Sequence, residues 1–332
     1  MATLSLKRSR PSTPDSTAPM KRVRMEASIS LKPVRFLIMS DTHSAELPST
    51  LPECDVLLHC GDLTDDGSPG AISEALEALS KVKAELKLVI AGNHEISLDK
   101  QYYLSEGGSL ADIAAAQAMI SPDPTSEASK GGVTFLSEGT HTFRISSGAT
   151  FSIYASPYTP EYGTSGFQYP TNEDRFNPPE NTPLWAHNVG TEESKVPSNI
   201  DIVMTHGPPK YILDSTSDGR SAGCEHLRKA LERVKPKLHC FGHIHKSYGA
   251  QRIEYDKSSK SKDEAGSIIP IAKEWVGKNQ AKKKGFASLP PGSLEVFRKG
   301  NQTLCINAAM EGEDGQLENA PWVVDLDLKV SE

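Results

Sequence analysis

Short apolar runs that end in polar residues recur along the chain from residue 34 onward, and each predicts a buried strand. Apolar runs of about four to eight residues without strict alternation are typical of strands that are covered on both faces of a sheet. The five clearest are VRFLIMS (34–40), CDVLLHCGD (54–62), LKLVIAGNHE (86–95), NIDIVMTHG (199–207) and LHCFGHIH (238–245). The repeated design predicts a sheet core whose strands each end in a polar loop.

Helical periodicity lies between several of these runs. The segment AISEALEALSKVKAEL (71–86) places Leu76, Leu79 and Val82 on one helical face, and GCEHLRKALERV (223–234) has the same apolar spacing. Strands that alternate with helices predict an α/β core.

Other strand-like runs indicate that the sheets are mixed. ATFSIYAS (149–156) alternates between apolar and polar residues, which is typical of an antiparallel strand. Two further runs, TLCINAA (303–309) and WVVDLDL (322–328), follow near the end of the chain. We see no internal repeat. The sequence therefore predicts one folded domain over residues 33–330.

The first 32 residues differ from the rest, being rich in Ser, Thr, Pro and basic residues without apolar periodicity. This composition predicts a disordered tail. The basic clusters KR (7–8) and KRVR (21–24) are spaced like a bipartite nuclear localisation signal. A solvated basic tail that no receptor reads is the alternative.

Two segments interrupt the predicted core. Residues 159–183 are rich in Pro, Gly and aromatic residues and too irregular for regular structure, while residues 256–292 are rich in Lys. We interpret the second segment as a solvent-exposed insertion. It also carries acidic residues and few aromatic ones, so a role in holding nucleic acid, as in a nuclease, is the less favoured interpretation.

Composition narrows the class of protein further. No run of about 18 apolar residues occurs, so we expect no membrane span. The five cysteines are scattered and never spaced as CxxC, which predicts reduced thiols in an intracellular protein, cytoplasmic or nuclear.

The net charge is −7; residues 1–35 carry eight Lys or Arg against two acidic residues, or +6, which leaves −13 on the remainder. An acidic body disfavours stable nucleic-acid binding.

The polar endings of the five runs share a chemistry. Together they offer carboxylates, one amide and several imidazoles: Asp41, His43, Asp62, Asn93, His94, His206, His243 and His245. Open α/β sheets bind ligands at the carboxyl ends of their strands, so these residues are expected to meet in one crevice. Oxygen and nitrogen ligands without thiolate suit Mn, Fe or Zn. The Asp-x-His and His-x-His spacings place both side chains on one side of an extended segment.

In order along the chain, SDTH, GDLTDDG, GNHE, THGPP and GHIH resemble the motifs of the calcineurin-like metallophosphoesterase superfamily, from Val34 to His245. DVLLHCGDLT, GCEHL, KPKLHCFGHIHKSYG and INAA are similar to the branch of metallophosphoesterase-domain-containing proteins found in animals and fungi. The resemblance implies an α/β fold, a four-layer αββα sandwich of two mixed β-sheets flanked by helices.

The resemblance also implies a role for each residue and two divalent metal ions. Asp41, His43 and His245 would hold the first ion, Asp62 would bridge both, and Asn93, His206 and His243 would hold the second. A hydroxide that bridges the ions would attack phosphorus, and His94 would act as general acid. Because Asn93 and His94 are adjacent, we expect them to point in different directions.

The substrate is expected to be a small phosphodiester, in particular a cyclic nucleotide. The phosphoprotein phosphatases of the superfamily resemble GDxxDRG and RGNHE, with two arginines for phosphate. Here those positions hold Asp66 and Ala91, which disfavours dianionic monoesters. The alternatives are a phosphomonoesterase or phosphoprotein phosphatase, and a non-catalytic metal-binding scaffold of the same fold. The sequence does not predict an oligomeric state.

Other candidates have simpler interpretations. His59 is expected to be a core histidine, and His239 either a core residue or a support for the metal ligands. Gly242 is expected to make room for the backbone beside the metals. The remaining histidines are interpreted as surface residues: His141, His187 and His226. Loop packing is favoured over a role in substrate binding for four aromatic residues: Tyr158, Phe167, Tyr169 and Trp185.

Overall fold

All five apolar runs form strands in a computed structural model of the chain, which describes residues 30–255, 266–271, 284–298, 300–312 and 314–330. The strands are β1 (Leu31–Met39), β2 (Val56–His59), β3 (Leu86–Val89), β4 (Val133–Phe135), β5 (Gly139–Arg144), β6 (Ala149–Ser156), β7 (Thr159–Pro160), β8 (Gln168–Tyr169), β9 (Glu173–Asp174), β10 (His187–Asn188), β11 (Ile202–Thr205), β12 (Leu238–Phe241), β13 (Gly249–Glu254), β14 (Ser267–Pro270), β15 (Ala287–Ser288), β16 (Gln302–Asn307) and β17 (Trp322–Val330). The helices are α1 (Pro69–Ser80), α2 (Lys100–Ser105), α3 (Leu110–Ile120), α4 (Glu127–Lys130), α5 (Glu225–Val234) and α6 (Ser293–Arg298).

Two mixed half-sheets carry the predicted site. The first has the order β17-β1-β2-β3-β4, with β1 to β4 parallel and β17 antiparallel to β1. The second has the order β14-β13-β16-β12-β11-β6, in which β6, β11, β12 and β16 are parallel. The carboxyl ends of each parallel set lie at one edge of its half-sheet.

The half-sheets are joined at one corner. Strands β6 and β17 pair at two positions, Lys329 with Thr150 and Val330 with Ala149. This junction makes hydrogen bonding continuous through thirteen of the described strands. The two predicted sheets are therefore the two halves of one folded sheet.

Buried side chains define four layers. The largest apolar cluster lies between the half-sheets, where the rings of Phe36 and Phe151 meet edge to face with centroids 5.6 Å apart. A second cluster packs the opposite face of the first half-sheet on α1 and α3, and a third packs the second half-sheet on α5. The predicted αββα sandwich is confirmed.

Helix α1 begins earlier and ends earlier than predicted. Ser68 caps its N-terminus by accepting the Ala71 N–H at 3.2 Å, and Pro69 occupies the first turn. The helix ends at Ser80 because the N–H groups of Glu85 and Leu86 bond to the carbonyl of Asp55, which starts β3. The second predicted helix is confirmed as α5.

The structure describes only parts of the predicted tail and the predicted insertion. Leu31 and Lys32, assigned to the tail, belong to β1; residues 1–29 lie outside the described residues. In the insertion, residues 256–265 and 272–283 also lie outside them. The described remainder adds β14 to the sheet edge and β15 beside β17, so the insertion carries strands that its lysine content did not predict.

The aromatic-rich segment 159–183 has little regular structure, as predicted. It contains two-residue strands and one 3-10 turn, Pro179–Asn181. Its Tyr169 and Phe176 are buried against α5, so the segment is packed onto the second half-sheet.

Candidate metal centre

The predicted site residues follow the carboxyl ends of their strands through an unusual backbone conformation. Asp41, His43, Asp62 and His243 have φ values of 53°, 42°, 51° and 69°. Left-handed backbone at a non-glycine residue costs about 1–2 kcal/mol and concentrates at functional sites. The expectation that each pair aligns along an extended segment is wrong. Asp41 and His43 lie in a turn beyond the end of β1, and beyond β12 the backbone is left-handed at His243 and enters a 3-10 turn at His245.

Three overlapping groups of potential metal ligands form at the meeting edges of the half-sheets, and one of them joins His94 to His43 and Asp62. In each group the ligand atoms lie within 4.8 Å of one another. We call Asp41, His43 and His245 the first group. We call Asp62, His206 and His243 the second group. The sequence-based assignment placed the same residues together.

Asp62 lies between the two groups. Its Oδ2 is 3.1 Å from His206 Nε2 in the second group and 3.8 Å from His43 Nε2 in the first. Its Oδ1 accepts the backbone N–H of His94 at 2.9 Å, which holds the carboxylate in place. Asp62 therefore faces ligand residues of both groups.

Asn93 completes the second group and is oriented by a neighbour. The Ser165 hydroxyl donates to the backbone carbonyl of Asn93 at 2.8 Å and accepts from its side-chain Nδ2 at 2.9 Å. The amide oxygen therefore faces His206, with Oδ1 2.8 Å from Nε2.

His206 shows why a cation fits here. Its Nδ1 lies 2.9 Å from the carbonyl oxygen of Cys60 and must donate a proton to it. In the neutral ring Nε2 then carries a lone pair, which faces two oxygen acceptors, Asn93 Oδ1 and Asp62 Oδ2. Burial lowers the pKa of His206, but Asp62 outweighs it and raises the pKa to about 9. A divalent cation could take the place of the proton on Nε2, between the two oxygen atoms.

The carboxylates are held ionised by the surrounding imidazoles. Burial raises the pKa of Asp41, but the hydrogen bond and charge of His245 outweigh it and leave the pKa far below its usual range. For Asp62, burial is likewise outweighed by His206, and the pKa falls to about 2. Burial lowers the pKa of His243 to about 4, so its imidazole is neutral at pH 7. Ionised carboxylates and neutral imidazoles are the forms that bind metal.

His94 stands at the rim of this centre. Its Nδ1 is 2.6 Å from the backbone carbonyl oxygen of Asp65, so Nδ1 carries a proton and Nε2 is the atom free to exchange one. Its ring meets His43 edge to face at 4.6 Å. Asn93 is buried whereas His94 is half-buried, so the two adjacent side chains point in different directions as expected.

Glu95 is a buried residue beside the ligands that the sequence motifs did not single out. It is fully buried, and its carboxylate accepts backbone N–H groups of Asp62 at 3.0 Å, Thr64 at 3.0 Å and Gly92 at 2.6 Å. Burial raises its pKa to about 7, with the charge of Asp62 adding to the effect. Glu95 thus ties the loop that carries Asp62 to the loop that carries Asn93. Its place beside Asn93 and His94 was the available signal.

Glycines allow the ligand loops to approach each other. A Cβ on Gly242 would overlap the carboxylate of Asp41 and the side chain of Ser40. A Cβ on Gly92 would overlap the carboxylate of Asp62. Gly242 therefore makes room beside the predicted ligands, as expected.

The remaining histidines divide into three kinds. His59 and His239 are fully buried and lie 3.0 Å and 2.8 Å from the hydroxyls of Thr42 and Thr205, so both are core residues. Burial lowers their pKa values to about 4 and about 3. His187 is exposed and His141 half-exposed. The surface interpretation of His226 is wrong: it is 1% exposed beneath Trp185 because its helix faces the core there.

A cavity opens beside His243. It has a volume of about 400 Å³, and Tyr162, Trp185, Lys210 and Arg220 also line it. Trp185 is 54% exposed, so one of the four predicted loop aromatics faces this space. The other three pack: Tyr158 meets Phe167 edge to face at 5.5 Å, and Tyr169 is buried.

Positions 66 and 91, where the phosphoprotein phosphatases carry arginines, have no guanidinium group in this chain. Asp66 is exposed and accepts the Ser68 N–H at 2.9 Å, while Ala91 is 4% exposed beside the core. None of the helices in the described part of the chain has the length and apolarity that spanning a membrane requires.

Comparison with known proteins identifies the family. Residues 34–247 match the model of the calcineurin-like phosphoesterases, which is well over half of the chain, and the chain belongs to that family. Metallophosphoesterase domain-containing protein 1 of Homo sapiens is 32% identical over 221 residues, which cover 65% of this chain and 61% of that protein.

One further relative and one solved structure match different shares of this chain. A protein of Emericella nidulans named "Probable rhamnogalacturonate lyase C" is 32% identical over 225 residues, 67% of this chain but 18% of that protein. The chain therefore spans less than two thirds of the length of either relative. Among solved structures, TT1561 of Thermus thermophilus superimposes with a TM-score of 0.36 at 10% identity, over 72% of this chain and 89% of that one.

Proposed function

We propose that this chain hydrolyses a small phosphodiester at a centre of two divalent metal ions. The observation that carries the proposal is the environment of Asp62, whose carboxylate lies between two groups of imidazole and oxygen ligands. Asp41, His43 and His245 would hold one ion and Asn93, His206 and His243 the other, with Asp62 shared. Bound ions of this kind neutralise phosphate charge and lower the pKa of water.

His94 is the general acid in this proposal. The carbonyl of Asp65 accepts from Nδ1, so the ring orientation is set, and in the imidazolium form Nε2 carries the proton that goes to the leaving oxygen. The ring contact with His43 keeps His94 beside the first group without making it a necessary ligand. Glu95 maintains the distance between the Asp62 and Asn93 loops.

Three features favour a small diester as substrate. Asp66 and Ala91 stand where the phosphoprotein phosphatases carry two arginines, so those two forks for a dianionic monoester are missing. The cavity beside His243 is large enough for one nucleotide. Its exposed Trp185 offers a stacking surface for a base, and Lys210 offers a positive charge. A cyclic nucleotide is the substrate that we favour.

Metal analysis and a substrate panel together test the proposal. We expect two equivalents of a divalent metal and a preference for 2′,3′- or 3′,5′-cyclic nucleotides or bis-p-nitrophenyl phosphate over a phosphopeptide. Preference for the phosphopeptide would replace the proposal with a phosphoprotein phosphatase. Two bound ions without turnover of any substrate would favour a non-catalytic scaffold. Cleavage of DNA with Mn²⁺ present would favour a nuclease.

We further propose that the protein acts within the cytoplasm or nucleus on a soluble substrate, without membrane or stable nucleic-acid partners. The scattered cysteines and the basic residues of the N-terminal segment support this location. Fluorescence microscopy of the tagged chain, with and without residues 1–32, tests whether the basic clusters direct nuclear import.

A further inference from the structure

Glu311 reaches the metal centre from a strand that supplied no predicted ligand. Strand β16 is parallel to β12, so its carboxyl end lies at the same edge of the second half-sheet as His243. Beyond β16 the chain crosses to the first half-sheet, where the Met310 N–H bonds to the Ser40 carbonyl at 2.9 Å and the Glu311 N–H to that of Asp41 at 3.1 Å. Glu311 is thereby anchored beside the first group.

The Glu311 carboxylate faces two residues of the first group. Its Oε2 lies 3.2 Å from His43 Nε2 and 3.9 Å from His245 Nδ1, and the side chain is 17% exposed. The His43 side chain is more deeply buried, at 7% exposed. Its Nε2 has no hydrogen-bond partner among the described residues. A buried nitrogen is thus left without a partner although two carboxylates flank it.

The other nitrogen of His43 explains this arrangement. Nδ1 lies 3.2 Å from Asp65 Oδ1, and in the tautomer with a proton on Nδ1, toward this carboxylate, a lone pair is left on Nε2. A lone pair and a carboxylate oxygen do not attract each other unless a cation lies between them. Two ligands that bind one ion at about 2.1 Å and at a right angle lie about 3.0 Å apart. The separation of His43 Nε2 and Glu311 Oε2 is close to this value.

We propose that Glu311 is a further carboxylate ligand of the first ion, beside Asp41, His43 and His245. The inference rests on the two-metal centre of the proposed function and adds a consequence for its substrate. Two divalent ions bring four positive charges, and Asp41 and Asp62 bring two negative ones; a third carboxylate lowers the net positive charge from two to one. A centre with less positive charge suits a monoanionic diester better than a dianionic monoester.

Titration of metal-stripped protein with Mn²⁺ tests the ligand role directly. In wild type we expect two binding events by calorimetry, and in Glu311→Gln one of them weakened by about 10- to 100-fold, since the amide keeps the shape but loses the charge. Glu311→Asp should restore part of the affinity. Asp314→Asn is the matched control, because it removes one negative charge from an exposed position of the same loop and should leave both events unchanged.

The outcomes separate this inference from the proposed function. If Glu311→Gln binds two ions as tightly as wild type, Glu311 is not a ligand and its approach to His43 belongs to the metal-free protein alone. A Mn²⁺-loaded crystal structure with both Glu311 oxygens more than about 3 Å from each ion would overturn the ligand role even if affinity falls. Loss of one binding event in a protein that cleaves no phosphodiester would support the inference while ending the proposed function.

Substrate preference tests the effect of the Glu311 charge. In a catalytically active preparation, Glu311→Gln should raise the ratio of p-nitrophenyl phosphate to bis-p-nitrophenyl phosphate hydrolysis several-fold over wild type. An unchanged ratio in a variant that has lost metal affinity would overturn the charge argument. Circular dichroism melts of all variants establish that they are folded.

Discussion

Adjacent residues in the GNHE segment have different surroundings because tertiary contacts, not sequence spacing, orient them. Asn93 is held toward His206 by Ser165, a residue 72 positions away, whereas His94 is turned toward the carbonyl of Asp65. The sequence motifs predicted that these two residues belong to one site. They did not predict Ser165, since a single serine in an irregular segment carries no periodic or spacing signal.

Replacement of His94 by Ala should separate metal binding from turnover. We expect kcat to fall by about 10²- to 10⁴-fold, because the leaving oxygen loses its proton donor, while metal content by mass spectrometry stays at the wild-type value. His187→Ala is the control, since it makes the same change at an exposed histidine. Wild-type turnover in His94→Ala would remove His94 from the mechanism.

At the scale of elements, apolar periodicity predicted α1, α5 and the main strands but not every boundary. Val82 has the spacing of the α1 stripe and is buried, yet it lies beyond the end of the helix, because the chain must turn to start β3. Helix α3 was not predicted: its sequence LADIAAAQAMI is rich in alanine, and only Ile113 and Ala116 of this helix are buried, so it lacks a continuous apolar stripe.

Leu76 in α1 tests how the helix layer contributes to stability. It is 2% exposed and packs between α1 and the first half-sheet. Leu76→Ala should lower the free energy of unfolding by about 2–5 kcal/mol in urea titrations, through lost transfer free energy and the cavity that remains. The adjacent Glu77→Ala, at an exposed position paired with Lys81, should change it by less than about 1 kcal/mol. Equal effects of the two changes would contradict the observed packing.

At the scale of the whole molecule, the candidate metal centre spans both half-sheets. Asp41, His43 and Asn93 follow strands of the first half, while His206 and His245 follow strands of the second. Among the described residues, two paired positions of β6 and β17 and one β-bridge beyond the ends of β1 and β16 join the halves. Bound ions would therefore link two layers that otherwise meet mainly through apolar packing.

Metal removal should consequently destabilise the whole domain. We expect Mn²⁺ at 100 times its dissociation constant to add about 2.7 kcal/mol per site to the free energy of unfolding of metal-stripped protein, with a matching rise in Tm. Asp62→Asn should reduce this gain, because Asp62 lies between both ligand groups. A Tm that does not respond to Mn²⁺, in protein that binds no metal, would exclude the metal centre.

The sequence by itself determined the α/β class, the main strands and the eight residues at their polar ends, because burial and strand ends leave local patterns of apolar and polar residues. Only the tertiary structure decided the backbone conformation of these residues and the side chains that support them. The left-handed turns at Asp41 and His43, the carboxylate of Glu95 between two loops, and the crossing that brings Glu311 to His43 depend on contacts between distant segments. Such contacts arise from the pairing of strands far apart in the chain, for which a local pattern holds no information.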